Sequence, residues 1–239
     1  MCGKNDLKIK HYDYNAKQVK IKPKMLDHIS DRYVCGVDEV GRGCLFGPVV
    51  AAAVVLPREL EDGDMKQWEM VKDSKRVTEK RRVQLAEFIK TKAVSYDIQE
   101  VSHEIIDQVN ILEASMIAME ETINNVYTDM LESKQITLDE IFVDGNRFRK
   151  CYMPPGDDDI MIPHTCFEQG DNKYLCIAAA SIIAKVYRDD LIVQGCDDNP
   201  EWNNYDLKKN KGYGTRKHMD ALKEHGAIFG HRRTFNGVL

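Results

Sequence analysis

The chain has 239 residues, 43% of them hydrophobic, and a formal charge of −5. That apolar share sustains a packed core and excludes a disordered chain, and the length suits one large α/β domain with an appendage. The charge is unevenly spread: residues 1–30 carry net +4, residues 206–239 net +5, and the stretch between them −14.

An acidic body between two basic ends fits a protein that holds cations centrally and a polyanion across its ends. Uneven solvated surface is the plain alternative. The seven cysteines are scattered and include no C-x-x-C pair. Neither a zinc ribbon nor a redox dithiol is signalled, and a reducing, cytoplasmic compartment is the natural reading. The first fifteen residues hold no apolar h-region, so no secretory signal is expected. The longest apolar run, 44–56, is too short and too interrupted by Gly and Pro to span a bilayer, so no membrane partner is expected.

In chain order, residues 1–32 read as a basic arm. The β-branched run 33–40 and the Val/Ala run 49–56 read as strands joined by a glycine turn, a hairpin. Residues 57–68 read as a charged loop. Thr78 is placed to cap a helix reaching about Lys92. A third strand is expected over 93–99 and one long helix over 102–130, whose Ile, Leu and Met positions form a single stripe. Residues 140–143 are a fourth strand, ended by Asp144, Gly145 and Asn146. Residues 150–163, with Asp157, Asp158 and Asp159, read as a surface loop, and 164–168 as a fifth strand. A helix apolar nearly all round runs from about Tyr174 to Val193. Residues 196–206 read as polar and irregular, and a last helix ends at Gly226. The pattern is α/β with a mixed sheet, divided as an arm (1–32), a main domain (33–195) and a basic helical appendage (196–239).

Three strand ends finish in acid: Asp38 with Glu39, then Asp144, then Asp171. Sites in open α/β sheets form outside the carboxyl ends of strands. Oxygen donors without a His/Cys cluster suit Mg²⁺ or Mn²⁺, and four carboxylates suffice for two such ions. Adjacent strand residues point to opposite faces, so Glu39 reaches the face of Asp38 only if the strand ends or twists there, which Gly41 would permit. Asp189 lies 18 residues beyond Asp171 and four after Lys185, so a helix-face ion pair accounts for it.

The Gly41, Arg42, Gly43 turn misses the dinucleotide fingerprint: three residues separate Gly43 from Gly47, and a strand follows where a helix is needed. Lys211, Gly212, Tyr213, Gly214 and Thr215 place a tyrosine between glycines beside a basic helix, able to meet a sugar or base while Lys and Arg hold phosphates; a packed turn tyrosine is the alternative. His218, His225 and His231 lack metal-pair spacing and read as surface or phosphate-facing. Met116, Met119 and Met130 read as core.

Taken together, GVDEVGRG with GPVVAAAVVL, DSK, NILEASMIAM, FVDGN, GDNKYLCIAAASIIAKVYRD, NKGYGT and HRRTF resemble the ribonuclease HII family, in the family's order over roughly 33–235. The resemblance implies a ribonuclease H-like fold with a mixed five-stranded sheet, flanking helices and a C-terminal helical extension. It implies Mn²⁺- or Mg²⁺-dependent cutting of RNA in RNA–DNA hybrids and nicking 5′ to a ribonucleotide embedded in duplex DNA, leaving 3′-hydroxyl and 5′-phosphate. Asp38, Glu39, Asp144 and Asp171 would hold the metal, with Asp38 bridging. Gly41, Arg42 and Gly43 would meet the RNA/DNA junction, Tyr213 the 2′-hydroxyl, and Ser74, Lys75 and Lys211 phosphate. A monomer is expected. Gln169 stands where the family usually has a basic residue, and Cys44 where a proline is common. The competing readings are a catalytically silent nucleic-acid-binding module and another nuclease or recombinase on the same fold.

Overall fold

The computed structural model describes residues 26–71, 78–149 and 162–238. β1 (Val34–Val40) and β2 (Val49–Val55) form the expected antiparallel hairpin, with Asp38 opposite Ala52 and Val40 opposite Val50. Every residue of β2 is buried, since both faces of the sheet are covered by helices. α1 (Met65–Val71) begins within the stretch 57–68 expected to be loop and runs three residues past it, and its buried Trp68 packs edge-on against Phe88 with ring centroids 4.6 Å apart. A helix of about two turns set among charges is too short to show a clear period. α2 (Glu79–Lys92) starts at Thr78, whose hydroxyl accepts from Arg81 N.

β3 (Ser95–Val101) pairs with β2, two residues later than its sequence suggests. The single long helix expected next is two: α3 (His103–Val109) and α4 (Ile111–Thr128). They break at Asn110, whose φ of 74° is left-handed and whose Oδ1 accepts from Leu112 N and Glu113 N. Asparagine both tolerates that backbone and caps α4, so the apolar stripe passes through without a visible interruption. Asn110→Ala should lose cap and conformation together, about 2 kcal/mol or ~4–8 °C in a circular-dichroism melt.

β4 (Glu140–Asp144) runs parallel to β1, and β5 (His164–Phe167) parallel to β4. The sheet order is β3-β2-β1-β4-β5. α5 (Leu175–Asp198) runs five residues past its expected end. A 3₁₀ turn (Pro200–Tyr205) and a short helix, α6 (Leu207–Asn210), replace the irregular stretch. α7 (Arg216–His225) is capped by Thr215 and ends at Gly226.

Alternation on the strands divides the core. Cys35, Val37, Val49, Ala51 and Ala53 pack toward α4, while Val34, Val50, Ala52 and Val54 pack toward α5. A third cluster, including Leu45, Phe46, Ile192, Tyr205 and Leu222, fastens the C-terminal segments to the end of α5 and to the turn after β1. Among the described residues, no helix is long and apolar enough to cross a membrane.

Candidate active site

β1 and β4 are parallel neighbours, with Val37 beside Val143, so Asp38 and Asp144 follow side by side at the carboxyl edge of the sheet. Asp38 is buried, takes a hydrogen bond from the Ser181 hydroxyl on α5, and accepts from Glu39 N at 2.8 Å. Asp144 Oδ1 accepts from Gly170 N at 2.6 Å. Asp171 is the next residue, in the 3₁₀ turn Gly170–Asn172 that leads to α5; it is buried and accepts from Asn172 Nδ2 at 2.9 Å. The first two acidic stretches therefore lie side by side, and the Gly170 amide ties the third to the Asp144 carboxylate. Asp189 is away on α5, held by Lys185 Nζ at 2.7 Å as its spacing implies.

β1 neither ends nor twists out of register at Glu39: the ladder continues through Glu39 opposite Ala51 and Val40 opposite Val50. Glu39 instead stands at the rim of the sheet and lines a cavity on each side. One is a cleft of ≈370 Å³ with Arg42, Met116, Met119, Asp144 and Arg147; the other is a groove of ≈230 Å³ with Arg82, Ser181, Lys185 and Tyr213. Position at the edge, not a backbone distortion, gives this carboxylate access to both faces. Met116 thus lines the cleft as a half-buried residue, Met119 lines it from the core, and Met130 is wholly core.

Burial, then the charges of Glu39 and Asp144, hold the Asp38 carboxyl well above the usual aspartate range, against the Ser181 hydrogen bond. Burial likewise raises Glu39, against Arg42, whose Nη1 lies 3.0 Å from Glu39 Oε1. Among the described residues, no three His, Cys, Asp or Glu side chains converge tightly enough to hold a metal ion as they stand. The donor set is nonetheless all oxygen, Asp38 and Asp171 are buried, and Asp144 repels both Asp38 and Glu39, which is the chemistry a hard divalent cation relieves.

Gly43 has open space where a Cβ would stand, so nothing within the chain requires glycine there for room. Tyr213 is 40% exposed, bridges Cys44 through its backbone, and has Lys185 Nζ 5.6 Å from its ring centre. Lys211 turns its ammonium to Lys208 O at 2.9 Å and to Glu79 at 3.5 Å. Ser74 and Lys75, and the 157–159 acids, lie outside the described residues.

One expectation is corrected: His218 and His231 are not surface residues, for both are buried, with their Nε2 atoms 3.0 Å apart. Arg232 is fully buried as well. The sequence reading also passed over Ser181, although it is the lone polar residue in the run Ile177 to Ala184, and over Arg188, hidden among the charges that end α5.

His218 Nδ1 donates to Tyr213 O at 3.0 Å, so in the neutral pair its Nε2 accepts from His231 Nε2. His231 Nδ1, between Ile228 N at 3.1 Å and Ile228 O at 3.2 Å, then carries no proton and accepts from Ile228 N. Burial lowers His218. Burial, then His218, with smaller effects from His103 and Arg233, lowers His231 to about 4. In the unfolded chain imidazoles protonate near pH ~6.5, so there the unfolded state binds more protons and stability falls as pH drops from ~6.5 toward ~4. Between pH ~7 and ~4.5 the wild type should lose about 2 kcal/mol more than His231→Gln. Parallel melting-temperature profiles for the two would show that the pair does not set the slope.

A mixed five-stranded sheet in this order, with carboxylates near the ends of the neighbouring strands β1 and β4, defines a ribonuclease H-like α/β fold. The ribonuclease HII family model matches residues 35–237. The chain is 43% identical over 206 residues to the ribonuclease HII of Bacteroides thetaiotaomicron, covering 86% of this chain and 90% of that protein. It is similar in fold to the ribonuclease H2 of Pyrococcus horikoshii OT3, with a TM-score of 0.61 and 24% identity over 86% of this chain and 95% of that one. Bst-RNase HIII in complex with Mn²⁺ is similar in fold too, with a TM-score of 0.61 and 18% identity over 88% and 69% of the two chains. The chain belongs to the ribonuclease HII family, the type 2 ribonucleases H.

Proposed function

We propose that this enzyme hydrolyses RNA in RNA–DNA hybrids and nicks duplex DNA on the 5′ side of an embedded ribonucleotide. The observation that carries the reading is that Glu39 of the acid cluster and Tyr213 of the appendage line one groove. Asp38, Glu39, Asp144 and Asp171 would hold two divalent cations, Mn²⁺ or Mg²⁺. When bound, such ions lower the pKa of an attacking water and stabilise charge on the leaving oxygen. The bond that breaks joins phosphorus to the upstream 3′-oxygen, giving a 3′-hydroxyl and a 5′-phosphate on the ribonucleotide.

The chain's own residues divide the remaining work. Ser181 and Glu39 N orient Asp38, and Gly170 N orients Asp144. Gly41, Arg42 and Gly43 would lie against the junction, where the room beside Gly43 allows a close backbone approach. Tyr213 would meet the sugar bearing the 2′-hydroxyl, the group that distinguishes RNA from DNA. Ser74 and Lys75 are assigned to phosphate. Lys211 is kept in that set as a side chain whose ammonium must leave Glu79 to serve it. The appendage (196–239) is the substrate-binding part of a monomer that works on nucleic acid in the cytoplasm.

The test is a duplex carrying one ribonucleotide, incubated with Mn²⁺ and then with Mg²⁺, with analysis of both product ends. One nick 5′ to the ribonucleotide is expected. Intact duplex with both metals, or a 2′,3′-cyclic end, would sink the reading.

A further inference from the structure

Arg188, on α5 two turns beyond Ser181, is fully buried. Its guanidinium donates to three main-chain carbonyls: Nε to Pro48 O at 2.9 Å, Nη2 to Phe46 O at 2.9 Å and Nη1 to Lys211 O at 2.8 Å. Two of these belong to the segment after β1 and the third to the loop that carries Tyr213. A buried charge is unfavourable unless hydrogen bonds satisfy it, and an apolar residue would have filled this space more simply. The three acceptors lie in different directions around one planar fork, a geometry that lysine cannot match.

Both loops are shaped to this cation. A Cβ on Gly41 would collide with Arg188, 2.7 Å from its Cδ, and one on Gly212 would lie 2.6 Å from Phe46 O and 3.4 Å from Arg188 Nη2. Gly41 and Gly212 also have φ of 92° and 87°, which side chains resist. The same two segments are cross-linked by Leu45 N to Gly212 O at 2.8 Å. Arg232 extends the arrangement from the other side, donating to Gly47 O at 2.9 Å and Arg42 O at 3.1 Å. The 41–43 turn and the Tyr213 loop are therefore spaced by buried guanidinium groups and not by apolar packing alone.

We infer that Arg188 is a positioning residue for substrate selection: it fixes the distance between the 41–43 turn and Tyr213, and thereby the register on a single ribonucleotide. This rests on the substrate reading proposed above. Arg188 touches neither the acids nor the cleaved bond, so its loss should change which substrate is selected and leave cation binding intact.

The experiment compares wild type, Arg188→Lys and Gly212→Ala on two substrates, a duplex with one ribonucleotide and a uniform RNA–DNA hybrid, together with the Mn²⁺-induced rise in melting temperature. For both variants kcat/KM on the single ribonucleotide should fall at least about tenfold further than on the hybrid, while the Mn²⁺-induced rise matches that of the wild type. An unchanged substrate ratio overturns the positioning role, as does failure of both variants to fold, because the guanidinium would then be needed for the core. A wild type that does not cut the single ribonucleotide overturns the functional reading and this inference with it.

Discussion

Asp144→Asn should lower the rate of cleavage about a thousandfold while leaving the melting temperature level or slightly raised. A cation held by carboxylates supplies several kcal/mol of charge stabilisation at the transition state, and ~1.4 kcal/mol corresponds to tenfold in rate. The asparagine keeps an oxygen for Gly170 N, so the bond that joins β4 to the Asp171 turn survives. It removes one of the charges that push Asp38 and Glu39 upward. The sign follows from linkage. Asp38 titrates higher folded than unfolded, so its favourable contribution is complete below the ordinary aspartate value of ~3.9 and is lost as the pH rises through the elevated one. At neutral pH the crowded carboxylates destabilise the metal-free protein, and Asp144→Asn relieves part of that strain. Mn²⁺ should raise the wild-type melting temperature, by about 2.7 kcal/mol of stability at a hundred times its Kd, and raise the variant's much less. Full activity in Asp144→Asn, or an equal Mn²⁺ response, would remove Asp144 from the proposed metal set.

What could be read from sequence followed the range of the interactions. The strands were legible because buried β2 is written in Val and Ala, and because β1 and β4 end in acids next to glycine. The cap at Thr78, the ion pair of Lys185 with Asp189 and the stop at Gly226 are local and were equally plain. The break at Asn110 was hidden, since an asparagine with positive φ interrupts a helix without interrupting its apolar stripe. The access of Glu39 to both cavities was misjudged because alternation says which face a residue takes and not how near the rim it stands. The histidine pair and the two buried arginines were illegible for a stronger reason. His218 and His231 are 13 residues apart, and Arg188 reaches Phe46 across 142. No spacing rule connects them, and charged residues in a basic tail look solvated until the chain folds over them.

That difference in range bears on the proposed division of labour. Asp38, Glu39 and Asp144 sit on strands of the central sheet and Asp171 in the 3₁₀ turn that leads to α5, with Asp38 and Asp144 held by Ser181 of α5 and by main-chain amides. The proposed reading elements are two glycine-rich loops whose mutual placement depends on long-range polar contacts to α5 and the C-terminal segment. Substitutions in the second set should alter selectivity before they alter the fold.

Tyr213→Ala should reduce cutting at an embedded ribonucleotide about ten- to a hundredfold, because an aromatic contact to a nucleotide is worth ~1–3 kcal/mol. The turn itself should persist, since Tyr213 N donates to Asn210 O at 3.0 Å and Tyr213 O accepts from His218, both through the main chain. The ring is 40% exposed, so little apolar burial is lost and the melting temperature should move by only a few degrees. Tyr213→Phe separates the ring from the hydroxyl: it keeps the stacking surface and loses the polar contact, and should fall between alanine and wild type. If phenylalanine matches alanine, the hydroxyl carries the recognition; if it matches wild type, the ring does. Binding to all-DNA duplex should change less in either variant, because phosphate contacts made by Lys and Arg are insensitive to the sugar. A Tyr213→Ala enzyme that nicks single ribonucleotides at the wild-type rate would make Tyr213 a packed turn residue and leave recognition to the 41–43 turn alone.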